Sequence, residues 1–242
     1  VIADARILLQ LLRGMPRAAD AAQRLESFYA PQAASYDRFR ERLLHGRREL
    51  VEALVLAPGA EVIEMGAGTG ANLDFFGPRL RQLGSLRLVD LCPSLLEQAY
   101  LRARGLSNVH VVAADACDYR PPRPVDCVIF SYSLSMIPDW RRALGNAEAM
   151  LRPGGQLAVV DFLLPAATGR AGNRWSRAFW RRWFGHDGVM LNDAQLATLE
   201  RLLPQHTLTV CRAPVPYLPW SRMPYYRFIG RNGGNTSVTP FL

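Results

Sequence analysis

The sequence predicts an α/β protein, a doubly wound and mostly parallel seven-stranded sheet preceded by an N-terminal helical cap. Three observations carry this prediction. Short apolar strands alternate with helical segments from Glu61 to Phe162, the pattern of βα units that build parallel sheets. The first strand runs into glycines at every second position, Gly66, Gly68 and Gly70, and then into a helix. Before that strand the apolar residues recur at helical rather than strand spacing.

Taken in order, residues 2–13 are apolar with Asp4, Arg6, Gln10 and Arg13 set among them, as in an amphipathic helix that Gly14-Met15-Pro16 ends. A second helix spans about Arg17 to Tyr29. A third opens at Pro31 and carries Tyr36, Phe39, Leu43, Leu50 and Leu54 on one face and arginines on the other. Strand 1 covers 61–65, and the helix after Gly70 contains Leu73, Phe75 and Phe76. Strand 2 covers 86–90, followed by a helix with Pro93 in its first turn, where a missing N–H costs nothing. Strand 3 covers 108–112 and strand 4 covers 126–131. A helix runs from Asp139 to Leu151 and stops at Pro153-Gly154-Gly155, and strand 5 covers 156–162. Later come a helix at 193–203 capped by Asn192, a strand near 207–211 and a last strand near 225–230. The expected division is a cap at 1–56, a core at 57–231 with an insertion at about 165–190, and a frayed tail at 232–242.

Of the residues, 49% are hydrophobic, enough for a sizeable core, and the net charge is +8 with every basic residue an arginine. A GC-rich genome explains the arginines; a surface that meets lipid head groups or nucleic acid is the functional alternative. The four cysteines form no C-x-x-C pair, which argues against a zinc or redox motif and fits a reducing compartment. No apolar run approaches the roughly 20 residues of a spanning helix. The expected location is cytoplasmic, peripheral at the inner face of the membrane.

The G-x-G-x-G turn differs by one residue from the G-x-G-x-x-G dinucleotide fingerprint, whose helix N-terminus receives a pyrophosphate. Glu64 precedes the glycines, where a carboxylate suits a cationic group. Asp90 ends strand 2, placed to accept both hydroxyls of a ribose. Asp115 follows strand 3, placed to accept from an adenine amine. Three carboxylates at three strand ends fit a ligand with a sulfonium, a ribose and an adenine, S-adenosyl-L-methionine, with S-adenosyl-L-homocysteine as product. The cofactor residues so read are Glu64, Gly66, Ala67, Gly68, Gly70, Asp90, Leu91, Asp115, Ala116 and Ser131. With LRPGGQLAVVDF at 151–162, residues 61–162 resemble the Rossmann-like class I S-adenosylmethionine-dependent methyltransferases.

The flanking segments Phe28-Tyr29-Ala30-Pro31-Gln32, Ser35-Tyr36-Asp37-Arg38-Phe39-Arg40 and Leu44-His45-Gly46-Arg47 show a resemblance to the betaine-lipid N-methyltransferases. It extends to FSYSLSMIP at 130–138, Phe179-Trp180-Arg181-Arg182-Trp183-Phe184, Val215-Pro216-Tyr217-Leu218-Pro219 and Met223-Pro224-Tyr225-Tyr226. The resemblance implies methylation of the amine of diacylglyceryl-homoserine to the trimethylated betaine lipid. It implies a lipid substrate at the inner face of the membrane and, as a partner, the enzyme that makes that lipid. Tyr36, Tyr132 and His45 are the catalytic candidates, with Tyr29, Arg40, Arg47 and Tyr226 as acceptor-binding candidates. The tyrosines would face a methylated cation, and the arginines a carboxylate. His45 is either a base or a structural histidine, and each tyrosine is either a contact or an ordinary half-buried side chain.

RWSRAFWRRWF at 174–184 has the composition of an interfacial segment, or else is an insertion with its aromatics packed on the sheet. A small-molecule or quinone methyltransferase on the same core is the first alternative. An RNA-binding methyltransferase-like protein is the second, although no RNA-binding module is evident and nucleic acid is not an expected partner. No metal is expected.

Overall fold

The computed structural model describes residues 21–30, 41–164, 177, 178, 180–182, 184, 185, 188–215 and 218–233. The helix expected at 2–13, the segment 31–40 with Tyr36 and Arg40, and the tail beyond 233 lie outside the described residues.

Seven strands form one sheet in the order β3-β2-β1-β4-β5-β7-β6. Their ranges are β1 Glu61–Met65, β2 Ser85–Asp90, β3 Val109–Ala113, β4 Val125–Ser131, β5 Leu151–Phe162, β6 His206–Val215 and β7 Leu218–Arg231. The first five run parallel, and β7 is antiparallel to both β5 and β6. The chain steps outward from β1 to β2 and β3, then crosses back to β4 and β5. The carboxyl ends of β1 and β4 therefore flank the point where the winding reverses, and a ligand crevice opens there in such sheets. Parallel strands are covered on both faces, and β1 and β4 accordingly read as near-continuous buried runs, Val62 to Met65 and Cys127 to Phe130.

The helices are α1 Ala21–Tyr29, α2 Arg47–Ala53, α3 Leu73–Phe76, α4 Pro93–Ala103, α5 Trp140–Met150 and α6 Asp193–Leu202. Asp139 and Asn192 cap α5 and α6 by accepting from the Arg142 and Ala194 N–H groups. Helix α4 makes no side-chain cap bond of its own. Its cap comes from α1, whose Glu26 Oε2 accepts from Ser94 N at 3.0 Å and from Cys92 Sγ at 3.3 Å. A carboxylate at a helix N-terminus also complements the helix dipole, so this contact seats α1 above the ends of β1 and β2. Arg79 does the converse for α2, donating to the carbonyls of Val51, Glu52 and Leu54 at 3.4, 3.3 and 2.7 Å.

Three expectations need correction. Strand β5 begins at Leu151, directly after α5, rather than at 156. The third cap helix is not continuous to Leu54. Residues 41–46 are turns and α2 begins only at Arg47, because Gly46 sits at φ 82°, a left-handed conformation that no helix interior contains. The C-terminal strands are longer than the prolines suggested. β6 continues through Pro214 and β7 through Pro224. β6 is the sheet edge, where a missing N–H is tolerated, and Pro224 lies just beyond the β5 pairing, which ends at Phe162↔Tyr225.

A Cβ on Gly46 would lie 2.4 Å from Tyr225 Cε2 on β7. Gly46→Ala is expected to destabilise the fold by about 1–3 kcal/mol through overpacking and strain, read as a lowered midpoint in urea denaturation.

Candidate cofactor and acceptor site

A cavity of about 290 Å³ lies outside the carboxyl ends of β1 to β4, roofed by α1 and the 44–47 segment. Its floor is the glycine turn. Gly66 and Ala67 N–H both donate to Val89 O, at 2.8 and 3.1 Å, which folds the turn back onto β2. Gly66, Gly68 and Gly70 all have positive φ, at 70°, 56° and 71°. Each is a glycine for a distinct reason. A Cβ on Gly66 would stand 2.4 Å from Ser133 Cβ, and one on Gly70 2.9 Å from Leu88 Cδ1. One on Gly68 would meet only Leu95 Cδ1 at 3.9 Å, so it would protrude into the cavity and take up the ligand's space.

Glu64 is the electrostatic centre. It is 2% exposed, and its Oε1 accepts from Asn72 Nδ2 at 2.6 Å while Oε2 has no hydrogen-bond partner. Burial pushes its carboxyl up to about 7, the Asn72 bond and the Arg47 charge pull it down, and Asp90 adds to the rise. Arg47 reaches Asn72 Oδ1 at 3.4 Å and Leu44 O at 3.1 Å, so α2 is tied through Asn72 to Glu64. Asp90 accepts from Gly68 N at 2.8 Å and Cys92 N at 2.9 Å, and burial raises its carboxyl against those bonds. Asp115 accepts from Cys117 N at 2.8 Å, which turns the chain after β3 along the cavity. Burial pushes the Cys117 thiol, also in the wall, up to about 12, so it stays protonated and unreactive.

The opposite wall comes from the residues after β4 and from α1. Tyr132 is the one described non-glycine residue with positive φ, at 55°, a strained position of the kind found at functional sites. Its hydroxyl donates to His45 O at 2.6 Å, and its ring centroid lies 4.6 Å from that of Phe162. Burial, then Asp161, raises its phenol well above the ordinary range, so it remains a donor. Tyr29 on α1 donates to Met136 Sδ at 3.3 Å. Leu25, Arg24 and Ile137 complete this side.

Most of the residues singled out from the sequence therefore meet at one cavity: Glu64, Gly66, Ala67, Gly68, Asp90, Leu91, Asp115, Ala116, Ser131, Tyr132, Tyr29 and Arg47. Gly70 lies behind the floor against α4. Two candidates stand elsewhere. The His45 ring is not in the cavity wall; its Nε2 lies 3.1 Å from Arg42 O, and only its backbone carbonyl serves the site. Tyr226 is buried in the sheet on β7, opposite Asp161, because alternate β7 residues face the core layer rather than the crevice. Tyr36 and Arg40 lie outside the described residues. Asn72, Ser133, Met136 and Arg24 also line the cavity, and the sequence does not single them out individually. Asn72 carried one signal, a polar residue at the start of the helix after the glycines, one turn from the strand end.

In the 174–184 segment, Trp180 and Phe184 are each 3% exposed. Their rings continue a stack, with Phe162 to Phe184 centroids 4.5 Å apart and Phe184 to Trp180 5.6 Å. These two aromatics are thus core, while Arg181 and Arg182 face outward. Among the described residues no helix is long and apolar enough to cross a membrane.

The donor set fits S-adenosylmethionine. The unpartnered Glu64 oxygen asks for a cation, and the open side of Gly68 admits a ligand against the backbone. The acidic strand ends would suit neither a phosphate nor a pyrophosphate. Because only ionised Glu64 attracts a cation, affinity for S-adenosylmethionine is expected to rise as pH rises through about 7, by up to about tenfold per pH unit on the acid side. Calorimetric titration across that range checks this, and Glu64→Gln should flatten the profile. Asp90→Ala should abolish cofactor binding.

A sequence model described as a methyltransferase domain matches residues 36–209. A ubiquinone/menaquinone biosynthesis C-methyltransferase, UbiE of Teredinibacter turnerae, is 30% identical over 157 residues, which cover 61% of this chain and 63% of that protein. The chain thus spans about three-fifths of the length of the curated relatives it matches. The YcgJ protein of Bacillus subtilis superposes with a TM-score of 0.64 at 15% identity, covering 78% of this chain and 98% of that one. The Haemonchus contortus phosphoethanolamine N-methyltransferase 2, solved with phosphomonomethylethanolamine and S-adenosylhomocysteine, superposes with a TM-score of 0.65 at 13% identity, over 90% of this chain and 61% of that one. The strand order, the glycine turn with its three carboxylates and the match across residues 36–209 agree, and the chain belongs to the S-adenosylmethionine-dependent methyltransferase domain family of class I fold.

Proposed function

We propose that this methyltransferase acts on the amine of an amphiphile, with diacylglyceryl-homoserine as acceptor and the trimethylated betaine lipid as end product. The observation that supports this reading is the pairing, within one cavity, of an acidic floor with a wall of Tyr29, Tyr132, Leu25 and Met136. Bound S-adenosylmethionine supplies a methyl group on a sulfonium. The chain's part is to hold a neutral amine in line with it, and orientation of that kind can lower a barrier by at most ~7–11 kcal/mol. After each transfer the amine is a cation, and aromatic faces stabilise such a group by roughly 0.5–2 kcal/mol each. Arg47, with Arg40 from the 31–40 segment, is proposed for a carboxylate of the head group or of the cofactor. The proton leaves to solvent, since no histidine is among the described cavity residues.

In this reading residues 1–56 act as a cap over the core at 57–231, and the arginine-rich surface, +8 in net charge, favours an anionic membrane face. The enzyme that makes diacylglyceryl-homoserine is the proposed partner. A second reading is favoured by the UbiE likeness, C-methylation of a quinol. Both acceptors carry long apolar chains, so the wall residues suit either, and the reacting atom distinguishes them.

The test is incubation of the purified protein with labelled S-adenosylmethionine and vesicles containing diacylglyceryl-homoserine, in parallel with a demethylated quinol. Mass spectrometry is expected to find mono-, di- and trimethylated lipid. Unmodified lipid beside a methylated quinol would replace the first reading with the second.

A further inference from the structure

Behind the cavity wall lies a carboxylate that the site does not use. Asp161, at the end of β5, is 0% exposed. Its Oδ1 accepts from Ser135 Oγ at 2.7 Å and Phe162 N at 2.8 Å, and its Oδ2 accepts from Ser135 N at 2.9 Å. These donors are all uncharged, and burial pushes the carboxyl up to about 6 despite them. A neutral side chain would be less costly at this depth, so its place in the fold is accounted for by what it holds.

What it holds is the tight turn Leu134–Met136 between β4 and α5. Two further bonds fix the same turn from the C-terminal half, Met190 N to Ser135 O at 2.7 Å and Gln195 Nε2 to Leu134 O at 3.3 Å. The cavity side of this stretch receives both described pieces of the cap. Tyr29 of α1 donates to Met136 Sδ, and Tyr132, three residues before Ser135, donates to His45 O of the 41–46 turns. The cap therefore rests on a platform that Asp161 holds from behind at Ser135.

We propose that Asp161 is a positioning residue that, through Ser135, sets the platform on which the cap closes over the acceptor side of the cavity. It touches neither cofactor nor acceptor, and it acts on cap closure more than on cofactor binding, whose carboxylates sit on other strands. This inference rests on the cofactor assignment alone and stands whichever acceptor is methylated.

Asp161→Asn keeps the shape but can satisfy only some of the three donors. Hydrogen exchange measured on the full chain with S-adenosylhomocysteine bound is the readout. Losing a charge-assisted bond should speed exchange in residues 21–30 and 41–46 by about tenfold or more. Strands β1 and β2 should keep their protection, and S-adenosylhomocysteine affinity should stay within about threefold, since no cofactor-facing bond is lost. Ser135→Ala should loosen the same two segments by less, and it carries the test if Asp161→Asn does not fold. Unchanged exchange in 21–30 and 41–46, or an equal rise in β1 and β2 that marks general destabilisation, would overturn the proposal.

Discussion

A carboxylate at the end of a parallel strand, shut away from water, is stable only if something offsets its charge. In this fold the offset within the protein is partial. Glu64 receives one hydrogen bond from Asn72 and a distant pull from Arg47, while Asp90 works against it, and one of its oxygens is left without a partner. The remainder of the local architecture follows from that deficit. The glycine turn must come close enough for a ligand to reach the strand end. Asn72 must stand at the start of α3 to hold the carboxylate's rotamer. Arg47 arrives from α2, so α2 and the ionisation of Glu64 are linked through one amide. Leaving a buried anion half-satisfied is expensive in a free-standing core, and the expense makes sense where a cationic ligand completes the pairing.

The second organising contact is the close approach of the β1 turn to the residues after β4. Ser133 Oγ donates to Met65 O at 2.6 Å, and the space beside Gly66 is filled by the Ser133 side chain. This approach forces the chain at Tyr132 into its strained conformation, since it must leave β4, pass over the glycine turn and still point its ring at Phe162. The rings of Phe162, Phe184 and Trp180 then continue from Tyr132 and join two described aromatics of the 174–184 segment to the stretch after β4. Helix α1 thus meets the stretch after β4 through Tyr29 and Met136, and Phe184 reaches Tyr132 through Phe162.

The parallel core was readable because its signals are local. Four-to-six-residue apolar runs, the glycines after Met65, Pro93 in a first turn and the cap residues Asp139 and Asn192 each report on their own neighbourhood. That Glu64, Asp90 and Asp115 would meet at one cavity was readable for a related reason, since the carboxyl ends of parallel strands lie along one edge of the sheet. What failed to show in the sequence depends on distant partners. Nothing near His45 says that its carbonyl rather than its ring would be used, because the user, Tyr132, is 87 residues away. Tyr226 looked available until the antiparallel register of β7 fixed its face, and Asn72 matters only because Glu64 and Arg47 flank it. Gly46 shows the limit of periodicity, since apolar residues continue at helical spacing across a position whose backbone cannot be helical.

This division between local and distant signals bears on acceptor choice. The cofactor end is built from β1, β2 and β3, elements close in sequence with little freedom to vary without losing Glu64, Asp90 or Asp115. The proposed acceptor end is assembled from α1, the 41–47 segment and the turn after β4, which come from three parts of the chain and touch through hydrogen bonds such as Tyr29 to Met136 and Tyr132 to His45. Side chains there can change without disturbing the sheet. Proteins sharing the core can then carry names as different as a quinone C-methyltransferase and a phosphoethanolamine N-methyltransferase, because the fold fixes where the methyl donor sits and leaves the facing wall to set what meets it. In this chain that wall is tyrosine, methionine and leucine held over an acidic floor. In the function proposed above, such a wall would meet an acceptor with an apolar body whose reacting end tolerates, or carries, positive charge.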